Sequence, residues 1–529
     1  MLRSILTVGG LTLLSRVTGF LRDIMLAAIL GAGPIADAFF VALRLPNHFR
    51  AIFAEGAFNS AFVPAYARIR QQDGAGPARL FADRIFTLLI AVEAVLLALA
   101  LIFTPAVIKI LAPGFADDQS QFALAVSLTR ITFPYLLLVS MVTLYGGMLN
   151  AVQRFASPAA APILLNLSMM ATLSLAAFFP DAGHAAAWGV FIAGILEVLL
   201  VGADQSRRDG LPRFRAFVLD EDTRRFFRAL GPATLGSAGL QIALFADTII
   251  ATFLPAGALS ALYYADRLNQ LPIGVIGIAA GTVVLPEMAR RIARSDETGA
   301  RHAQNRAVEL TLLMSIPFLV AFLLVPDRIM LGLFSRGAFT AADARAAGAA
   351  LAAYAVGLLP FVLIRSYTAI FLARGDTATP VKALMISVVI NVALKVLLMG
   401  DYAQVGLAIA TSVGAWVNFA FVVFFAARAG LVGVDARLRS ASFKFLVAAA
   451  ALALALLSSE HWIDPVFSTM KRLRAETILL TLTLTGGLVY GVAIAALFGR
   501  DWLRDFRRVT APGAAPAPTA VPPRASDEE

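Results

Sequence analysis

Two stretches decide the fold class of this chain: AQVGLAIATSVGAWVNFAFVVFFAA at residues 403–427 and TILLTLTLTGGLVYGVAIAALF at residues 477–498. Neither contains a charged residue, and each exceeds the about 20 apolar residues that a helix needs to cross a bilayer core. The whole chain has this character, since 59% of its 529 residues are hydrophobic and only 15% are charged. The sequence therefore predicts an all-α polytopic membrane protein with almost no room for a soluble catalytic domain.

A hydropathy window of about 19 residues predicts fourteen membrane-spanning helices. They lie at 4–30, 35–64, 85–108, 122–148, 158–179, 185–203, 226–254, 260–288, 307–326, 346–372, 381–399, 403–427, 441–458 and 477–498. The first, second and eighth spans contain Arg, Asp and Pro, so they are the least regular. The first span lacks a small-residue cleavage site, which favours a membrane helix over a removed signal peptide.

The basic residues fix a predicted orientation. With an even number of spans both termini share one side, and most of the Lys and Arg residues outside the spans fall on that side. Seven fall on the other side: Lys109, Arg328, Arg336, Arg345, Lys471, Arg472 and Arg474. The positive-inside rule therefore predicts that both termini are cytoplasmic. Topology accounts for much of the net charge of +10, so nucleic acid is not needed as a partner.

The chain resembles itself at an offset near 225 residues. Asp23 matches Asp247, Ala36-Asp37 matches Ala265-Asp266, and Leu45-Pro46 matches Leu271-Pro272. Parallel repeats of six spans predict two lobes around a central cavity, with discontinuous helices at the midplane, and we predict the breaks at Pro46 and Pro272. The predicted divisions are an N-terminal lobe at 1–205, a basic linker at 206–222, a C-terminal lobe at 223–428, a helix pair at 429–499 and a disordered cytoplasmic tail at 500–529.

Charged residues gather in the interrupted spans. Buried arginines are costly in a membrane, at about 2.5–3.5 kcal/mol each at a helix centre, unless they face water or partners. A hydrated cavity would remove most of that cost, and a basic cavity suits an anion such as a phosphate. The candidate binding residues are Arg16, Arg22, Arg50 and Arg267.

Two questions about these charges stay open at the level of sequence. The pairs Arg22-Asp23, Arg50-Glu55 and Asp266-Arg267 would also serve as purely structural ion pairs. The acidic residues of these spans could neutralise arginine, carry coupling protons or cap broken helices. They are Asp23, Asp37, Glu55, Asp247 and Asp266.

The enzyme classes with local signatures are not indicated. The four histidines show no metal-ligand spacing, the chain has no cysteine, and no Walker A sequence occurs. The sequence predicts no enzyme, no cofactor and no metal site.

Three motifs resemble those of a known family. They are SRVTGFLRDIMLAAILGAGPIADAFFVALRLPNHFRAIFAEGAFNSAFVPAY at 15–66, YYADRLNQLPIGVIGIAAGTVVLPEMAR at 263–290 and ARGDTATPVK at 373–382. They are similar to the MurJ (MviN) lipid II flippases of the multidrug/oligosaccharidyl-lipid/polysaccharide exporter superfamily. The resemblance extends over the whole chain, and it implies two six-helix lobes and a C-terminal helix pair that forms a groove for the lipid tail.

The resemblance also implies a function in peptidoglycan biosynthesis. The substrate would be the undecaprenyl-pyrophosphate-linked precursor, lipid II, moved from the inner to the outer leaflet of the bacterial inner membrane. Arg16, Arg22 and Arg267 match the family's cavity arginines, which would hold the pyrophosphate. Arg50, Glu55 and Asp37 match its second helix, and Ser260 and Asp266 line its eighth. Gln270 departs from the family, because some members carry an acid there.

The implied partners are lipid II or a similar polyprenyl-pyrophosphate glycolipid, membrane lipids and cell-wall synthesis proteins. Three other functions remain open: a flippase for another polyprenyl-linked oligosaccharide, an ion-coupled multidrug antiporter, and a scaffold that binds the precursor without moving it. The driving force, whether membrane potential, proton, sodium or chloride, is equally open.

Overall fold

The structure is a computed structural model that describes residues 2–50, 57–216, 218–470 and 473–510. No strand occurs within these ranges, which confirms the all-α prediction. The helices are α1 (Leu2–Leu30), α2 (Pro34–Arg50), α3 (Ala57–Gln72), α4 (Ala75–Ile102), α5 (Thr104–Leu111), α6 (Gln119–Thr132), α7 (Pro134–Ala151), α8 (Ala156–Ser174), α9 (Ala182–Arg208), α10 (Glu221–Ala251), α11 (Ala258–Ala293), α12 (Glu297–Leu324), α13 (Pro326–Phe334), α14 (Ala341–Val356), α15 (Leu358–Leu372), α16 (Ala378–Arg428), α17 (Ala436–Val466) and α18 (Arg474–Thr510).

Nine helical stretches of the described chain are long and apolar enough to cross a membrane. Two of them join a helix pair end to end, α6 with α7 and α14 with α15. A third, α16, reverses at Ala403, whose φ is 43°, and its halves pack against each other, with Asn391 Nδ2 donating to the Ala410 carbonyl at 3.2 Å. The helices that carry the candidate cavity residues, α1, α2, α10 and α11, are outside the nine. The total of fourteen spans stays a prediction.

The internal duplication recurs in the helix boundaries. Four helices of the first half start 222 residues before their counterparts: α4 and α12 at 75 and 297, α5 and α13 at 104 and 326, α6 and α14 at 119 and 341, and α8 and α16 at 156 and 378. This regularity supports two copies of one helical unit. The lobe boundaries assigned from the sequence remain predictions.

Each unit ends in a segment that is hydrogen bonded to an earlier helix of the same unit, α4 in the first half and its counterpart α12 in the second. We call this attachment a clamp. We call residues 209–216 and 218–220 the first exit segment and residues 429–435 the second. Arg79 donates to the Leu211 carbonyl at 3.3 Å in the first, and Arg301, which lies 222 residues later, donates to the Gly430 carbonyl at 2.7 Å in the second. An arginine at the same position of the repeat therefore donates to a carbonyl of the exit segment in both halves.

Two further positions complete each clamp. Asp83 accepts from the backbone N–H of Arg213 at 2.8 Å, and its counterpart Asn305 donates to the Gly433 carbonyl at 2.9 Å. Arg84 pairs with the N-cap of α10, Asp220. In the second clamp Arg306 pairs with the N-cap of α17, Asp435, at 2.8 Å. Each clamp thus fixes where the next helix begins.

α10 connects the two halves of the molecule. Near its start, Phe226 packs edge-on against Phe58, Phe62 and Phe81 of the first half, with ring centroids 5.8–6.4 Å apart. Near its end, α10 packs on α16 of the second half. A movement of one half against the other therefore has to be taken up along α10.

The prolines do not break their helices where the sequence predicted. α2 continues past Pro46 to Arg50, and α11 runs without interruption past Pro272 to Ala293. A proline within a helix removes one N–H donor and strains one turn, but in α11 the turns on either side keep the chain helical. The prediction of breaks at Pro46 and Pro272 is therefore corrected.

Candidate functional site

Arg22 and Asp23 of α1 form a buried ion pair. Arg22 is only 7% exposed and donates to Asp23 Oδ1 from Nη2 at 2.7 Å and from Nε at 3.1 Å. Its Nη1 donates to Asn166 Oδ1 of α8 at 2.9 Å. The amide of Asn166 in turn donates to the Ser15 carbonyl and the Thr18 hydroxyl. Arg22 is therefore held on three nitrogens, and its charge is balanced by Asp23.

Arg267 of α11 is held from one side only. Its Nη2 donates to the Tyr263 hydroxyl at 2.9 Å, and that hydroxyl donates to Asp23 Oδ1 at 3.3 Å. The guanidinium also lies over the Tyr263 ring, with Cζ 4.8 Å from the centroid. Its Nε is 3.6 Å from Asp23 and has no hydrogen-bond partner among the described residues. Nε is itself buried, but the side chain as a whole is 39% exposed and its Nη1 makes no hydrogen bond within the described residues, so Nη1 is the donor left for a ligand.

Arg16 lies against a glycine of α11. A Cβ added at Gly274 would overlap with Arg16 Nη1, so in this conformation the guanidinium lies directly against the glycine. Gly274 follows Arg267 by seven residues, which is two helical turns on the same face. Arg16 is exposed. The guanidinium groups of Arg16 and Arg267 are thus both accessible beside α11.

The cluster has a net positive charge. Arg16, Arg22 and Arg267 carry three positive charges, and Asp23 carries the one carboxylate in contact with them among the described residues. Guanidinium groups bind phosphate oxygens through paired N–H donors. Asp266, which adjoins Arg267 on α11, also interacts with it electrostatically, and the positive charge that remains suits an anion such as a pyrophosphate diester.

Asp37 joins the two halves at the end of the molecule where α1 finishes and α2 and α11 begin, which we call the distal end. Asp37 Oδ2 accepts from the backbone N–H of Gly257 at 2.7 Å. Its Oδ1 accepts from the Ser260 backbone at 2.8 Å and from the Ser260 hydroxyl at 2.7 Å. These N–H groups belong to the first turn of α11, which lacks a side-chain cap of its own. A carboxylate of α2 therefore caps a helix of the other half.

Backbone contacts and aromatic rings close the distal end further. The N–H of Ala338 donates to the Ala28 carbonyl at 2.8 Å, and the Tyr264 hydroxyl donates to the Gly31 carbonyl at 3.2 Å. Phe40 of α2 stacks on the Tyr263 ring at 3.8 Å between centroids. Between the Asp37 cap and the arginine cluster there is thus a packed aromatic layer.

A second ion pair joins α10 to α16. Lys395 of α16 is 2% exposed and pairs with Asp247 of α10. The neighbouring residue, Thr248, accepts a hydrogen bond from Arg44 of α2 at 3.2 Å. α10 is therefore tied to α16 on one face and to α2 on another.

The other residues predicted from the sequence are Asp266, Gln270, Arg50 and Glu55. Asp266 accepts from Gln270 Nε2 at 2.8 Å, so Gln270 contacts an acid instead of replacing one. The side chain of Arg50 and the whole of Glu55 lie outside the described residues. No group of three or more His, Cys, Asp and Glu side chains within those residues could hold a metal ion.

Sequence reasoning gave no role to Asn166, Tyr263 or Lys395. Asn166 contacts Arg22 across 144 residues of sequence, and nothing local marks that contact. Lys395 is the one of the three with a usable signal, because a lysine inside an apolar span requires a partner.

Comparisons with known proteins agree with this architecture. The family profile described as "Lipid II flippase MurJ" matches residues 26–475. The "Probable lipid II flippase MurJ" of Rhizobium meliloti (strain 1021) is 38% identical over 513 residues, which is 96% of this chain and 96% of that protein. A flippase is a transporter, in agreement with the expectation that the chain is not an enzyme.

Solved structures show the same fold. "Lipid II flippase MurJ, inward closed conformation" superposes with a TM-score of 0.78 at 23% identity, covering 94% of this chain and 99% of that one. An inward-facing multidrug resistance MATE family transporter of the MOP superfamily superposes with a TM-score of 0.63 at 15% identity, over 78% of this chain and 95% of the other. With its apolar helices, the chain is a multi-pass protein of the inner membrane, and it belongs to the MurJ family of lipid II flippases.

Proposed function

We propose that this chain moves lipid II from the inner to the outer leaflet of the inner membrane. The observation that carries the proposal is a cluster of three arginines with a net positive charge, in which Arg16 is exposed and the Arg267 side chain is 39% exposed. Relatives across nearly the full length of the chain are named lipid II flippases, and a pyrophosphate-linked lipid supplies the anion that such a cluster binds.

The arginines have separate roles in this proposal. Arg16 and Arg267 contact the pyrophosphate, because Arg16 is exposed, Arg267 is partly exposed, and each keeps a guanidinium nitrogen without a hydrogen bond among the described residues. Arg22 is a positioning residue, since its donors are taken by Asp23 and Asn166. It holds Asp23 in place, and Asp23 orients Arg267 through Tyr263.

The contacts that close the distal end indicate from which end the headgroup enters the cavity and from which end it leaves. The cluster is separated from the distal end by the Asp37 cap and the aromatic layer, so the headgroup enters from the opposite end. Release then requires the two halves to part at Asp37, Gly257 and Ser260. Both termini are cytoplasmic in this scheme, which makes the distal end periplasmic. The groove between α17 and α18 keeps the polyprenyl tail in the membrane.

The test is leaflet-resolved detection of lipid II in cells depleted of this protein and supplied with variants. Wild type should restore precursor to the outer leaflet, while Arg16→Ala and Arg267→Ala should leave it in the inner leaflet and lower the flipping rate by at least tenfold. Arg130→Ala is the matched control, because Arg130 is an exposed arginine of α6 outside the cluster. Normal outer-leaflet lipid II in depleted cells that have no second flippase would refute the proposal.

A flippase for another polyprenyl-linked oligosaccharide is the second candidate. The arginine cluster binds the phosphate and makes no distinction between sugars. Inner-leaflet accumulation of a different lipid-linked glycan, with lipid II distributed normally, would favour it. Cell-wall synthesis proteins are proposed as partners on the outer side, where the flipped precursor is consumed.

A further inference from the structure

The first exit segment has an unusual composition for a connection between helices. Its arginines, Arg213 and Arg215, alternate with apolar side chains that are largely exposed. These are Leu211 at 41%, Phe214 at 69%, Val218 at 47% and Leu219 at 53%. Exposure of these apolar side chains to water is unfavourable. They are typical of a surface that lies at the boundary between headgroups and acyl chains.

The backbone of this segment is bound, while its arginine side chains are not. The N–H groups of Arg213 and Arg215 donate to Asp83 and Thr87 of α4. Both guanidinium groups are exposed, and within the described residues no carboxylate lies within 4.0 Å of either. Four more arginines nearby share this lack of a carboxylate: Arg207, Arg208, Arg224 and Arg228.

Three of the nearby acidic residues are already paired with other arginines. Asp209 pairs with Arg70, Asp220 with Arg84 and Asp222 with Arg68. Arg213 and Arg215 therefore have no ion-pair partner in the part of the chain that the structure describes, and the nearby buried carboxylate of Asp83 accepts from the Arg213 backbone instead.

The internal repeat shows that these arginines are not needed for the clamp. The second exit segment has the sequence AGLVGVD and contains no basic residue. It is nevertheless held by the counterparts Arg301, Asn305 and Arg306. Since a similar clamp forms without them, attachment to the helix does not explain the arginines at positions 213 and 215.

The position along α4 indicates the partner. Thr87 lies roughly three turns into α4, and beyond it the side chains of Val92, Val95 and Leu99 are exposed in an apolar span. The segment therefore lies where α4 enters the hydrocarbon region. We propose that the first exit segment binds anionic phospholipid at the bilayer surface, with Arg213 and Arg215 on the headgroup phosphates and Phe214 and Leu219 among the acyl chains. The apolar side chains favour a membrane over nucleic acid as the source of the phosphates.

The test is lipid binding to the purified full chain in detergent, followed by native mass spectrometry. The probes are phosphatidylglycerol, phosphatidylcholine and the water-soluble headgroup glycerophosphoglycerol. Wild type is compared with Arg213→Gln/Arg215→Gln, with the charge-retaining Arg213→Lys/Arg215→Lys, and with Arg428→Gln/Arg439→Gln. The last is a matched control, because Arg428 and Arg439 are exposed beside the second exit segment.

We expect wild type to bind phosphatidylglycerol more tightly than phosphatidylcholine. Each lost charge should weaken phosphatidylglycerol binding about fivefold, the lysine variant should retain it, and the control should match wild type. Equal binding of both lipids, an equal loss in the control, or binding of the soluble headgroup as tight as that of the lipid would each overturn the proposal. Monodispersity of each variant on gel filtration shows that it is folded.

Discussion

Arg22 and Arg267 carry the same charge but have different surroundings. Arg22 is fixed on three nitrogens and buried, whereas Arg267 is fixed by one hydroxyl and one ring face. Pairing with Asp23 removes most of the cost of burying Arg22 in a membrane. A rigid, neutral pair can then hold a second arginine that remains available to a ligand.

A substitution at Gly274 tests whether the position of the Arg16 guanidinium matters, because it leaves the charge of the cluster unchanged. We expect Gly274→Leu to displace the Arg16 guanidinium, because a Cβ alone would already overlap with Nη1. The flipping rate should then fall at least tenfold, as far as in Arg16→Ala, although the arginine is retained. The measurement is lipid II flipping in proteoliposomes, with Val275→Leu on the exposed neighbouring residue as control. A wild-type rate in Gly274→Leu would show that Arg16 does not act from this position.

The sequence singled out three arginines as candidates but did not predict the surroundings of each. Arg16, Arg22 and Arg267 stand out because charged residues in apolar spans need water or partners. Their division into accessible and buried groups depends on Asn166 and Tyr263, which come from α8 and α11. Contacts between such distant parts of the chain leave no periodic pattern in a single sequence.

At the scale of helices, α10 is held by opposite halves of the molecule. Asp220 and Phe226 attach its start to the first half, and the pair Asp247–Lys395 attaches its end to the second. The helix boundaries themselves were largely predictable from hydropathy. The effect of Pro272 was not, because the neighbouring turns and the packing of α11 decide whether a proline interrupts a helix.

The pair Asp247–Lys395 should behave as a buried unit. Lys395→Met leaves Asp247 without its counter-charge, and we expect a loss of about 3 kcal/mol in stability. Adding Asp247→Asn should recover most of it, since replacing both partners removes the unmatched charge. Thermal unfolding of the two single variants and the double variant in detergent measures the coupling. Additive losses would mean that the pair contributes nothing as a pair.

The second clamp predicts a pH dependence. Burial alone would raise the pKa of Asp435, but the Leu438 N–H and the Arg306 guanidinium lower it from 3.8 to about 2. A lowered pKa stabilises the folded state above pH 3.8, and this contribution is lost as the pH falls towards 2. Asp435→Asn should therefore lower the melting temperature equally at pH 8 and pH 5 and by less at pH 3.

His302 lies 3.3 Å from Asp435 and is the other titratable partner of that carboxylate. The comparison is therefore made in a His302→Gln background, with and without the Asp435→Asn substitution. A difference in melting temperature between these two proteins that widens on acidification would contradict the assigned direction.

At the scale of the whole molecule, the two halves are copies of one helical unit that meet at the distal end. The duplication was predictable, since it leaves matching residues at a near-constant offset. The sequence did not allow us to predict which end of the molecule is closed, because closure depends on contacts between the halves, such as Asp37 with Ser260 and Ala28 with Ala338. Each of these contacts joins residues of different halves, so no residue pattern within either half specifies them.

The central claim is that the distal end must open for lipid II to cross. The most direct test joins cysteines at Ala28 and Ala338, whose backbones are hydrogen bonded at 2.8 Å, with a short reducible bifunctional reagent. The chain has no cysteine of its own, so labelling is confined to these positions, and each single cysteine variant is the control. We expect flipping in proteoliposomes to stop on cross-linking and to return on reduction. Flipping at the uncross-linked rate by fully cross-linked protein would contradict the claim.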